Sequence, residues 1–183
     1  MADRVVLVLA GSIGAGKSTA ARYLAAHYRI EHRSFVQTIW VPILNERGLE
    51  VTRENLQHLG IELIRERGPA RLVDELFDRL DATTSYAIDD VRSPSVFEYA
   101  KARLPECLLL YLDTSFDARY PRLQQRDGVV SVDEQRAAER MPTELGIEGL
   151  RGYAAFTVVN DGSQQEFEAA LDVVARSLGL ERR

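Results

Sequence analysis

The stretch LAGSIGAGKSTAARYL, residues 9–24, constrains this chain more than any other part of it. Val5, Val6, Leu7, Val8, Leu9 and Ala10 form an apolar run of the length of one buried strand. Gly11, Ser12, Ile13, Gly14, Ala15, Gly16, Lys17 and Ser18 follow with the spacing of a phosphate-binding loop. Ala20, Ala21, Tyr23, Leu24 and Ala25 then continue at helical spacing, so the loop opens onto a helix N-terminus. The free N–H groups and the positive dipole end of that helix attract an anion, and glycines let the backbone approach it. The pattern predicts that Lys17 reaches the β- and γ-phosphates of a nucleotide, that Ser18 ligates Mg²⁺ and that Thr19 assists at the α-phosphate. Lys17 and Lys101 are the chain's two lysines among 23 basic residues. A compact ammonium suits the inside of such a loop better than a planar guanidinium.

Strand and helix alternate after the loop. Further strands are expected near 28–35, then at Ser85–Asp89, Leu108–Asp113 and Phe156–Val159, with helices at Val36–Arg47, Thr52–Arg67 and Pro69–Leu80. Ser95 with Glu98, Ser131 with Glu134 and Ser163 with Glu166 have capping-box spacing and predict three more helix starts. Such alternation implies a mainly parallel sheet covered on both faces, with ligands at the carboxyl ends of the strands. At 183 residues the chain is expected to form one domain, 1–183. A net charge of −5 argues against a general nucleic-acid or membrane surface. Cys107, the single cysteine, excludes an intramolecular disulfide and is expected in the core. No run is long enough to span a membrane, and Met1-Ala2-Asp3-Arg4 leads straight into the first strand, so a cytoplasmic location is expected.

The third strand ends Ile88-Asp89-Asp90-Val91-Arg92, which brings two carboxylates and an arginine to the ligand edge. One of the aspartates can hold the Mg²⁺ shell; spacing does not choose between them. Asp90-Val91-Arg92-Ser93-Pro94 with Glu98, set after GSIGAGKST, resembles the nucleotide-kinase group of P-loop proteins. Phage deoxynucleoside monophosphate kinases and archaeal adenylate-kinase-like proteins are the members it is most similar to. The resemblance extends through residues 47–56 and 159–163 and implies a three-layer α/β P-loop kinase fold. That fold has a five-stranded, mainly parallel sheet, helices on both faces and an arginine-bearing lid near 119–140. It also implies that Arg92 holds an acceptor's phosphate, and that Asn160, Gly162 and Ser163 lie in the loop around adenine.

Arg119, Arg122 and Arg126 lie at spacings of three and four, with Arg136 and Arg140 beyond the turn Asp127-Gly128. Arginines closing over a transferring phosphoryl group would neutralise its charge and exclude water. By resemblance, Arg119 or Arg122 lies near adenine and Arg126 near the transferred phosphate. The catalytic set is thus Lys17, Asp89, Asp90, Arg122 and Arg126. Arg92, Arg33, Phe35, Trp40, Arg136 and Arg140 are placed with the acceptor, although Phe35 and Trp40 read equally as core. In similar kinases the second strand delivers an acid to the acceptor, whereas residues 33–40 here contain none. An acceptor that is already anionic needs no strong base. The implied activity is ATP–Mg²⁺-dependent transfer to a small phosphorylated acceptor, a (deoxy)nucleoside monophosphate. The alternatives are a hydroxyl acceptor, as in dephospho-coenzyme A or modified-nucleoside kinases, and a nucleotide-binding regulatory ATPase. His27, His32 and His58 have no metal spacing and read as surface or cap residues.

Overall fold

The computed structural model describes residues 4–89, 91–128, 131–140 and 142–183. Five strands, β1 (Val6–Ala10), β2 (Glu31–Ser34), β3 (Tyr86–Asp89), β4 (Cys107–Asp113) and β5 (Phe156–Val159), form one sheet in the order β2-β3-β1-β4-β5. Every pairing is parallel. β1 lies at the centre with all five residues buried, which explains its unbroken apolar sequence. Side chains alternate between faces. Val6, Val8 and Ala10 join Ile88, Leu109 and the helices of the middle of the chain, while Val5, Leu7 and Leu9 join Ala87, Leu110 and the first and last helices. β2 is shorter than the 28–35 run, because Tyr28 and Ile30 sink into the second of these cores before the strand begins.

Helix α1 (Lys17–His27) starts directly at the loop. Ser34 Oγ accepts from the Gln37 amide at 3.0 Å and ends β2 in a wide π-type turn, Val36–Trp40, that runs into α2 (Val41–Glu46). α3 (Arg53–Phe77) breaks at Gly68, whose φ of 75° and ψ of 157° are not helical, so Pro69 opens a second helical piece as expected. α4 (Pro94–Arg103) is capped by Ser93, which accepts from the Val96 amide, and not by Ser95. Pro94 decides this: its fixed φ and missing N–H suit the first helical position and leave the cap to the residue before it.

Beyond β4 come α5 (Phe116–Asp127), capped by Ser115, and α6 (Val132–Glu139), where Ser131 and Glu134 make the expected reciprocal box. The short α7 (Pro142–Leu145) and α8 (Ile147–Leu150) lead back to β5, and α9 (Gln164–Ser177) starts at the Ser163 and Glu166 box. Cys107 is fully buried, as expected. No described helix is long and apolar enough to cross a membrane.

Candidate active site

The carboxyl ends of the strands gather the site. Gly11 turns the chain out of β1 at φ 147°, and a Cβ there would stand 2.6 Å from the Leu112 carbonyl oxygen. Gly16 has φ 99° immediately before α1, and a Cβ there would meet Asn160 Nδ2 at 2.7 Å. That amide donates to Ala15 O at 2.9 Å, and Thr114 Oγ1 donates to the same carbonyl at 3.3 Å. The loops after β4 and β5 therefore brace the phosphate loop. Lys17 Nζ, nearly buried, donates to Gly11 O at 2.6 Å and Ser12 O at 3.2 Å, which keeps the ammonium inside the loop.

Asp89, at the end of β3, accepts from Ser18 Oγ through Oδ2 at 2.8 Å. The register explains the meeting. Ala87 packs in the core under α1, and Asp89, two residues on, shares its face of the sheet. Asp90 lies outside the described residues. On β2 the pairings His32 with Ala87 and Ser34 with Asp89 put His32 on the same face. His32 Nε2 stands 3.3 Å from Asp89 Oδ1. The expectation that His32 is a surface or cap residue is corrected: alternation along a short polar strand turns it inward. Both of these atoms are buried and lack a hydrogen-bond partner.

A cleft of about 750 Å³ opens above the loop. Lys17, Arg22, Arg92, Arg122 and Arg126 line it with Ser18, Thr19, Asn160 and Gly162, and no described lining residue is acidic. Arg22 escaped the sequence reading. It lies four residues after Ser18 on α1, and its Nε donates to Ser18 O at 3.1 Å, so i to i+4 spacing from the loop serine is the signal that could have found it. Arg92 also pairs with Glu144 of α7.

Other expected contributors lie elsewhere. Arg119 does not line the cleft; it is buried beneath the loop, where Nε donates to Thr114 O at 3.0 Å and Nη1 to Ile13 O at 2.9 Å, and it pairs with Glu139. Arg136 lies over the Phe116 ring, 5.3 Å from its centre, and exposed Arg140 follows α6, its backbone N–H donating a hydrogen bond to Ala137 O; neither lines the cleft. Arg33 pairs with Glu31 at 2.7 Å and lies over Tyr86, on the face opposite His32. Phe35 and Trp40 pack edge to face in the core, 5.8 Å between ring centres, which resolves that alternative against stacking on a ligand. Ser163 caps α9.

A second hollow, about 220 Å³, lies against Ser12 and is lined by Glu139, Glu144, Glu148, Leu145 and Ile147. Tyr111 donates to Glu148 at 3.1 Å, and burial together with that bond pushes the phenol up to about 12.

Comparison with known proteins agrees with this geometry. A family model described as an AAA domain matches residues 7–142. A UPF0200 protein of Aeropyrum pernix is 27% identical over 170 residues, covering 91% of this chain and 89% of its own. A UPF0200 protein of Thermococcus kodakarensis is 28% identical over 178 residues, covering 90% and 93%. Among solved structures, a sugar kinase from Janibacter sp. HTCC2649 superposes with a TM-score of 0.60 at 19% identity, over 96% of this chain and 98% of that one. Shikimate kinase from Bacteroides thetaiotaomicron gives 0.57 at 17% identity, over 96% and 99%. The architecture is that of P-loop kinases.

Proposed function

The chain belongs to the AAA domain family, and from that premise we propose that it is a phosphotransferase moving the γ-phosphoryl group of ATP to a small acceptor. The observation that carries the reading is the cleft. Lys17, Arg22, Arg92, Arg122 and Arg126 converge on one space above a phosphate loop with no acid among its described lining. Such a convergence of cationic side chains suits a polyphosphate together with a second anionic group. Ser18 and Asp89 suit Mg²⁺: both offer hard oxygen donors, and Ser18 Oγ and Asp89 Oδ2 already stand 2.8 Å apart, close enough to share one metal shell. When bound, the ion supplies charge neutralisation at the β- and γ-phosphates. Lys17, Arg122 and Arg126 hold the phosphate oxygens, and the lid around 119–140 belongs to the same catalytic unit, taken as 1–183.

Arg92 favours an acceptor that carries a phosphate, a (deoxy)nucleoside monophosphate, because a guanidinium fork binds that group in two places. A hydroxyl acceptor is the second reading. Glu144 holds Arg92, and the hollow beside Ser12 is lined by three carboxylates, surroundings that suit hydroxyl groups better than a phosphate. The sugar and shikimate kinases among the structural relatives lie on that side.

ATP labelled at the γ-phosphate, incubated with magnesium and a panel of nucleoside monophosphates, sugars and other hydroxyl compounds, tests both. Label on a monophosphate is the expected result. Label on hydroxyl compounds alone would favour the second reading, and label released only as inorganic phosphate would overturn the phosphotransferase.

A further inference from the structure

We propose that His32 is a positioning residue for Asp89, holding the carboxylate so that Oδ2 faces Ser18 and the magnesium shell. The inference rests on the reading of Ser18 and Asp89 as the metal's contacts. Among the described residues, His32 Nε2 and Asp89 Oδ1 are the two buried side-chain polar atoms without a hydrogen-bond partner. They stand 3.3 Å apart and belong to adjacent parallel strands on the same face of the sheet. Leaving two such atoms unsatisfied costs stability, and the same site filled by an apolar side chain would carry no such cost. A carboxylate has two oxygens and one torsion. Ser18 engages Oδ2 at 2.8 Å, and a small rotation of the imidazole brings an Nε2–H onto Oδ1, so the two contacts together fix the plane of the carboxylate. Without His32, Asp89 can turn about its Cβ–Cγ bond and offer either oxygen.

The expected consequence is specific to the metal. Phosphate contacts from Lys17 and the arginines do not pass through Asp89, so His32 should matter to nucleotide binding only when magnesium is present. A fluorescent ATP analogue titrated against the full chain, in magnesium and in EDTA, reads this directly. In the parent, magnesium tightens binding. In H32L that gain should shrink about tenfold, the size of one well-made hydrogen bond to a charged group, while affinity in EDTA is unchanged. H32Q should keep the gain to within about threefold, because its amide can occupy the position of Nε2. H32N, whose amide falls short, should behave as H32L and serves in its place if leucine prevents folding, which circular dichroism checks. Equal magnesium gains in parent, H32L and H32N would overturn the inference alone, and so would a loss in H32Q as large as in H32L. A parent whose binding is indifferent to magnesium would overturn the metal reading of Asp89 and this inference together.

Discussion

Lys17 sits at the head of α1 with its ammonium on the carbonyls of Gly11 and Ser12, so truncating it removes charge from the loop without opening either core. Lys17→Ala should lower phosphoryl transfer on the order of a thousandfold, with a melting temperature near the parent's; steady-state rates and a thermal melt check both halves. Glu144 allows a sharper comparison. Its carboxylate competes for Arg92, so Glu144→Gln should tighten a monophosphate acceptor severalfold and leave a hydroxyl acceptor unaffected, as measured by acceptor KM. The legibility of individual residues followed locality. Lys17 and Ser18 carry their meaning in a spacing of eight residues. His32 does not, because Glu31-His32-Arg33-Ser34 is polar throughout and only pairing with β3 decides which side chains turn toward Ser18. Arg119 shares a helical spacing with Arg122 and Arg126, and nothing in that spacing shows that it reaches the Ile13 carbonyl.

The start of α9 shows what a cap contributes to an element. Ser163 Oγ accepts from the Glu166 amide at 3.3 Å, and Glu166 accepts from the Ser163 amide at 2.8 Å. Ser163→Ala should cost about 1 kcal/mol in a denaturant melt. The bonds from Ser163 hold the Glu166 carboxyl below its ordinary range. In the window between the folded and unfolded values the unfolded chain binds more protons, so stability rises with pH there. The contribution is complete above the unfolded value and is lost as pH falls through the folded one. Glu166→Gln should flatten the acid side of a melting-temperature profile and leave its neutral plateau level in pH. Arg119 joins three elements, through Thr114 after β4, Ile13 of the loop and Glu139 of α6. Arg119→Met should cost about 3 kcal/mol, since it strands buried carbonyls and a carboxylate, and should raise the KM for ATP. Elements announced by their own ends, such as the break at Gly68-Pro69 and the boxes at Ser131 and Ser163, were legible. The start of α4 was misplaced by two residues because two serines competed for one cap and Pro94 decided between them.

At the scale of the molecule, Cys107 reports on the whole fold. It begins β4 against the central strand, and burial, opposed weakly by Lys101, pushes its thiol up to about 12. A thiol reagent at pH 8 should therefore react only as fast as the protein opens, and saturating ATP with magnesium should slow that reaction further; absorbance of the released thiolate measures it. The architecture was legible because strand and helix alternate after a phosphate loop, which leaves few topologies open. The crossing of distant segments was not. Ala15 belongs to the first loop of the chain, yet Asn160 Nδ2 holds its carbonyl from the far end of β5. The order of synthesis gives this bond a further meaning. A chain leaving the ribosome carries Gly11 to Ser18 long before residue 160 exists, and until then the Ala15 carbonyl lacks its amide partner and β4 its outer neighbour. A nascent chain stopped before β5 should accordingly fail to retain ATP that one extended past α9 retains, so that nucleotide capture marks the completion of the fold.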